Sequence, residues 1–135
     1  MKIVVDTNFL VSATQWDYSV SHKLLQKLII NNVEIFTTKE ILDEFTEVLK
    51  RDFLYKEEEV KSILEKVIQF LNLVTPSIKV NIIKEDSEDN KIIECALESK
   101  AEYIISYDKH LLNIREYQGI KIVQPEEIIK EFFHK

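Results

Sequence analysis

Two aspartates in this sequence come directly after short apolar segments that are rich in β-forming residues. Residues 3–5 (IVV) precede Asp6, and residues 103–107 (YIISY) precede Asp108. Segments of this length and composition predict buried strands. Because the ligands of open α/β sheets lie just outside the carboxyl ends of the strands, the two acids predict a shared acidic site.

Two further acids lie in predicted helices. In the helix predicted over about 87–100, Asp89 lies three and four residues before Ile92 and Ile93, in line with the apolar stripe. Interaction with the helix dipole explains an acid in the first turn, but not its place on the apolar face. In the third predicted helix, Glu44 is the acid nearest the apolar stripe, although alone it would be interpreted as a surface charge.

The other acids also have a simpler interpretation when each is taken alone. Asp6 and Asp108 can each cap the helix that follows them. Burying several carboxylates together is costly unless a cation compensates, so their convergence would indicate Mg²⁺ or Mn²⁺, which favour carboxylate and water oxygens. The histidines, at positions 22, 110 and 134, show no paired metal-ligand spacing, which argues against zinc.

The composition is that of an ordinary globular chain. It has 135 residues, is 45% apolar and contains one Gly and two Pro, which predicts one domain over residues 1–135. The sequence has a single cysteine, Cys95, and shows neither a signal-peptide pattern nor a long uncharged apolar stretch. These features predict a cytoplasmic protein without a membrane span. The net charge of −6 argues mildly against a nucleic-acid partner, unless bound cations reverse the local sign.

Hydrophobic periodicity predicts that strands and helices alternate along the chain. The expected strands cover residues 2–6, 34–37, 78–83, 102–106 and 119–123. The expected helices cover about 8–13, 19–31, 39–51, 56–73 and 87–100, with a short helix after Asp108 and a last one from Pro125. This alternation predicts an α/β fold with a parallel five-stranded sheet and helices on both faces. In the doubly wound order 3-2-1-4-5, Asp6 and Asp108 would lie side by side.

Four segments of the chain, in this order, resemble the PIN domain family nearly end to end. IVVDTNFLVSA resembles the first strand with its Asp, here Asp6. TTKEILDEFTEVL places the family's Glu on Glu44, and EDSEDNKIIECAL places its third acid on Asp89. AEYIISYDKHLL places the last acid on Asp108.

The resemblance implies a PIN-like fold and a metal-dependent endoribonuclease that hydrolyses RNA phosphodiester bonds. It also implies the toxin of a toxin–antitoxin pair of the VapC type, typically a homodimer that a small antitoxin protein inhibits. Asp6, Asp89 and Asp108 would bind Mg²⁺ (or Mn²⁺) directly or through water, and Glu44 would complete the ring and orient the attacking water.

The resemblance also suggests roles for residues around these acids. Asn8 and Ser106 are candidate hydrogen-bonding partners of the metal ligands. Asp86 is a candidate outer ligand, although a loop or capping role is the simpler interpretation. The candidates for RNA contact are Lys39, Tyr107, Lys109 and His110.

Two positions depart from the family pattern. Tyr107 replaces the usual small residue before the last acid, and Ser87 replaces a proline of the third segment. Tyr107 would either crowd the site or offer a stacking surface to a base. An inactive PIN-like module that binds RNA or protein therefore remains an alternative.

Two other classes of protein share part of the pattern. A phosphatase of the haloacid dehalogenase class needs a second Asp two residues after the first, where this chain has Asn8. A receiver domain of two-component signalling needs an acidic pair after the first strand and a late Lys, and both are poorly met. Metal-dependent RNA cleavage would separate a nuclease from all three alternatives.

Overall fold

The computed structural model describes residues 1–81, 83 and 89–133, and the strands in these ranges form one mostly parallel sheet. The strands are β1 (Lys2–Val5), β2 (Glu34–Thr37), β3 (Leu71–Leu73), β4 (Tyr103–Ile105), β5 (Glu116–Tyr117) and β6 (Ile120–Val123). Their order is β3-β2-β1-β4-β6-β5, and only the β5–β6 pair is antiparallel within this described part. The predicted α/β class and the neighbouring positions of β1 and the Asp108 strand are confirmed.

The two central strands are apolar on both faces, as is usual for a covered parallel sheet. Ile3 of β1 pairs with Ile35 of β2 on one side and with Tyr103 of β4 on the other. Val4 and Ile104 are fully buried. Because β1 and β4 are parallel neighbours, the chain leaves both strands at the same edge of the sheet.

Helices connect and cover these strands. They are α1 (Thr7–Gln15), α2 (Val20–Ile30), α3 (Lys39–Asp52), α4 (Glu57–Val67), α5 (Asn90–Ser99), α6 (Lys109–Leu112) and α7 (Pro125–Phe132). The α5 helix packs against β1, β2 and β4 and buries Ile92, Ile93 and Ala96. None of the helices in the described ranges is long and apolar enough to cross a membrane.

The edge strand β3 does not lie where the sequence predicts it. The sequence predicts a strand over 78–83 and a helix over 56–73, but α4 ends at Val67 and β3 covers Leu71–Leu73. Among the expected strand residues, 78–81 and 83 have no regular structure, and Ile82 lies outside the described residues. Apolar spacing at residues 67–71 suits a helix and a strand equally, and pairing of Ile35 with Leu71 selects the strand.

A short hairpin at the other edge adds a strand that the sequence analysis does not predict. The β5 strand pairs with β6 across a turn in which Gln118 and Gly119 have φ values of 49° and 86°. Two consecutive positive φ angles are typical of the turns that match the twist of a tight hairpin. The single glycine of the chain therefore lies where the backbone needs it.

Two polar side chains of α5 hold the segment that passes over this helix. Asn90 donates its amide to the Ile83 carbonyl (2.9 Å) and accepts from the Ile83 amide (3.0 Å). The buried Glu94 carboxylate accepts from the Val80 amide (3.0 Å). These bonds fix the chain immediately before and after residues 84–88, which lie outside the described part.

Candidate functional site

A small acidic cavity lies at the carboxyl edge of β1 and β4. Its volume is about 80 Å³, and it is lined by Asp6, Thr7, Asn8, Glu44, Asp89, Ile92 and Asp108. The four carboxylates that the sequence analysis selected thus meet in one cavity, although they come from four separate segments. Since a water molecule takes up about 30 Å³ of liquid, the cavity has room for a cation with one or two waters.

Asp6 is the most buried of these carboxylates. Its side chain accepts from the Phe9 amide (2.8 Å) and so caps α1, and it also accepts a hydrogen bond from the Ser106 hydroxyl. The residue is 5% exposed. Burial raises the pKa of Asp6 to about 6, with smaller contributions from the negative charges of Asp108 and Glu44 that also raise it.

Asp108 has a second function as the cap of α6. Its Oδ1 accepts from the amides of His110 (2.8 Å) and Leu111 (3.2 Å). The buried Ser106 hydroxyl, which donates to Asp6, accepts from the Asp108 amide (2.8 Å). Ser106 therefore links the Asp6 carboxylate to the backbone of Asp108 at the edge of the cavity.

Glu44 is held in place by two groups from other segments of the chain. Its Oε1 accepts from the Thr7 hydroxyl (2.8 Å) and forms an ion pair with Lys91 Nζ (2.8 Å). The Lys91 side chain is only 11% exposed. This oxygen therefore has both a neutral donor and a cation as partners.

Asp89 precedes α5 with helical backbone angles (φ −74°, ψ −17°) rather than the extended angles of a typical capping residue. Three possible ligand atoms lie within 4.8 Å of one another: a carboxylate oxygen of Asp89, a carboxylate oxygen of Asp108 and a ring nitrogen of His110. This places Asp89 at the end of the cavity nearest α6.

The remaining sequence candidates lie at the rim or beyond it. Asn8 is exposed and lines the cavity, whereas Lys39 forms an exposed ion pair with Asp43 (2.9 Å). Lys109 is exposed on α6. Tyr107 is 43% exposed, donates to Glu126 (2.8 Å) and is not among the residues that line the cavity. Asp86 lies outside the described residues.

Two residues that hold the Glu44 side chain are not among the site residues predicted from the sequence. These residues are Thr7 and Lys91, and the sequence pattern assigns no role in the site to either. Lys91 nevertheless carries a signal, because a lysine in the first turn of a helix opposes the helix dipole and needs another reason to be there. No comparable signal marks Thr7, since threonine near a helix start is common.

The donor set fits a hard divalent cation. Carboxylates are the usual protein ligands of Mg²⁺ and Mn²⁺, and here several of them share a cavity with room for a cation and one or two waters. Burial raises the pKa of Asp6, and the nearby negative charges of Asp108 and Glu44 add to the rise, so a bound cation would offset the cost of ionising this carboxylate.

The fold and this site together define an α/β protein with a carboxylate cluster at the switch point of its sheet. The model of the PIN domain family matches residues 2–110. The chain belongs to the PIN domain family.

Individual proteins are also similar to this chain. The chain is 29% identical over 144 aligned residues to the uncharacterized protein MJ1680 of Methanocaldococcus jannaschii, with 98% of this chain and 92% of that protein covered. The solved structure of VapBC2 from Rickettsia felis bound to a DNA fragment from their promoter matches with a TM-score of 0.66, 17% identity and coverage of 90% of this chain and 97% of that chain. The VapBC-1 structure from nontypeable Haemophilus influenzae matches with a TM-score of 0.66, 16% identity and coverage of 93% and 99%. At these identities the solved structures establish the shared fold.

Proposed function

We propose that this protein is a metal-dependent endoribonuclease and the toxin of a VapC-type toxin–antitoxin pair. The observation that carries the proposal is the meeting of Asp6, Glu44, Asp89 and Asp108 in one cavity at the carboxyl edge of the sheet. Membership of the PIN domain family and the fold shared with the two VapBC structures support it.

In this proposal the four acids divide the work of the site. Asp6, Asp89 and Asp108 hold Mg²⁺ or Mn²⁺, and Ser106 keeps Asp6 and Asp108 in register. A bound ion of this kind supplies Lewis-acid catalysis at the scissile phosphate and makes water a better nucleophile.

Glu44 has the role of orienting the attacking water. Thr7 and Lys91 both contact Oε1 of Glu44. The other carboxylate oxygen would therefore be the one that accepts a hydrogen bond from the water. A carboxylate held in this way accepts the hydrogen bond of a water without losing its own position. Asn8, at the rim, is placed to hydrogen-bond the substrate or a water.

RNA would reach the cavity along the surface around α6. Lys109 and His110 directly follow Asp108 there, and the exposed Lys109 would contact phosphates. The Tyr107 hydroxyl donates a hydrogen bond to Glu126, and the residue does not line the cavity. Its exposed ring would therefore stack on a base and would not crowd the metal ligands. Lys39 would contribute through the surface of α3, where it now pairs with Asp43.

The nuclease is tested by comparing RNA cleavage by the purified wild-type protein and by the Asp6→Asn variant. The substrate is a mixture of RNAs, with Mg²⁺, Mn²⁺ or EDTA added. We expect cleavage that requires the metal and is lost in Asp6→Asn, while the exposed-loop control Asp17→Asn cuts normally. Folded wild-type protein that binds RNA but never cuts it with either ion would instead establish the inactive binding module. Release of phosphate from small phosphoesters without RNA cleavage would favour a phosphatase.

The role of Glu44 is tested by Glu44→Gln, with Glu47→Gln as its matched control. Glu47 lies one turn further along α3, where it pairs with Arg51 (3.5 Å). We expect Glu44→Gln to reduce the cleavage rate and Glu47→Gln to leave it within a factor of about two. Equal rates for both variants and wild type would contradict the assignment.

The toxin assignment makes separate predictions in cells and in solution. Regulated expression of the wild type in a bacterial host should arrest growth, and Asp6→Asn should not. A small protein encoded next to this gene should copurify with it and inhibit RNA cleavage. Light scattering should give the mass of a homodimer. Normal growth during expression of an active nuclease would contradict the toxin assignment alone.

A further inference from the structure

Among the described residues, His110 is the histidine that lies beside the carboxylates of the acidic cavity. One of its ring nitrogens, an Asp89 carboxylate oxygen and an Asp108 carboxylate oxygen lie within 4.8 Å of one another. Nδ1 of His110 is 3.8 Å from Asp108 Oδ1. This distance is too long for a hydrogen bond but matches two donor atoms around one ion, which lie roughly 3 to 4 Å apart at bond lengths of about 2.1 Å.

The backbone holds this imidazole close to the carboxylates. The amide of His110 donates to Asp108 Oδ1 (2.8 Å), which ties the residue to the capping turn of α6. The side chain is 43% exposed, so the ring can turn toward a bound ion without displacing the core. From the sequence His110 is only a candidate phosphate contact, because no second histidine at a metal-ligand spacing accompanies it.

We propose that His110 is a metal ligand together with Asp89 and Asp108, and that the site consequently prefers Mn²⁺ to Mg²⁺. Imidazole nitrogen is a good ligand for transition metals, whereas Mg²⁺ is bound almost entirely through oxygen. A site that adds one imidazole to its carboxylates therefore discriminates between two ions that a purely carboxylate site would bind similarly. The inference rests on the proposed function only in that the nuclease needs a metal.

Spectroscopy of bound Mn²⁺ tests the proposal without RNA. Spin-echo modulation in the Mn²⁺-loaded wild type should show coupling to a coordinated imidazole nitrogen, and His110→Ala should abolish it. The matched control is His22→Ala, because His22 lies in an apolar groove with its Nδ1 2.7 Å from the Ala13 carbonyl oxygen. The coupling should survive in this control.

Metal affinities measured by calorimetry give a second readout. We expect His110→Ala to weaken Mn²⁺ binding about tenfold or more and to change Mg²⁺ binding far less. His110→Asp, which replaces the imidazole with an oxygen donor, should reverse the preference toward Mg²⁺. A nitrogen coupling that is absent from the wild type or persists in His110→Ala would overturn the proposal, as would equal losses for both ions.

These outcomes are separable from those of the RNA assay. Metal-dependent cleavage without nitrogen coupling would overturn the His110 assignment and leave the nuclease intact. Nitrogen-coupled Mn²⁺ in a protein that never cuts RNA would support the His110 assignment while contradicting the nuclease.

Discussion

Asp6→Asn should make the metal-free protein more stable while removing its activity. The carboxylate is 5% exposed, and burial is the main reason that its pKa is about 6 in the folded protein, against 3.8 for an unperturbed aspartate. A proton is therefore bound more tightly by the folded state than by the unfolded state. The contribution of the Asp6 carboxyl group to the free energy of unfolding is fully present below pH 3.8 and is lost as the pH rises through about 6.

The change in the free energy of unfolding follows from the two pKa values of Asp6, about 6 in the folded protein and 3.8 in the unfolded chain. A difference of about two pKa units corresponds to ~3 kcal/mol of destabilisation at pH 7.5, and the linkage relation leaves ~1 kcal/mol at pH 4.5. Asparagine keeps the shape and the capping ability of aspartate but carries no charge. Because its buried amide has a desolvation cost of its own, we expect a gain of about 1 to 3 kcal/mol at pH 7.5, or roughly 3 to 5 °C in Tm for each kcal/mol.

Urea unfolding in EDTA at pH 7.5 and pH 4.5 measures this prediction. The advantage of Asp6→Asn over wild type should shrink as the pH falls, while the exposed-loop control Asp17→Asn should follow the wild type at both values. Addition of Mn²⁺ should stabilise the wild type and not Asp6→Asn. A variant that is less stable than wild type at both pH values, with an unchanged difference between them, would refute the electrostatic reasoning.

Three further predictions concern the supports of the site and the core. Lys91→Met should lower the free energy of unfolding, measured with urea, by about 1 kcal/mol or more, because it removes the ion partner of Glu44. Lys91→Arg keeps the charge and should lose less. Equal losses for the two variants would contradict a charge effect. Cys95 is fully buried in α5 and its pKa is raised to about 12, so a thiol reagent should label it only in denaturant, and fast labelling of the native protein would show that α5 opens. Phe45→Ala should lower the unfolding free energy by about 3 to 5 kcal/mol because the ring is fully buried, whereas the exposed-site control Ile30→Ala should stay within about 0.5 kcal/mol; similar values would contradict the described packing of α3.

The sequence alone indicated three of the cavity acids, because the evidence for them is local. Asp6 and Asp108 each follow an apolar strand, and Asp89 lies in line with the buried stripe of its helix. The alternation of strands and helices likewise predicted the α/β class, whereas the central position of β1 was expected only if the strands took the doubly wound order. Such patterns depend only on period and on neighbouring residues, so a single sequence is enough to see them.

The tertiary structure decided which residues complete the site and where the sheet ends. Glu44 was marginal on its own helix, and its contacts with Thr7 and Lys91 join segments distant in sequence. The edge strand at Leu71–Leu73 depends on its partner β2, because apolar spacing there suits either kind of element. His110 came to lie beside Asp89 only through folding, since a distance between segments is set by packing and leaves no periodic trace along the chain.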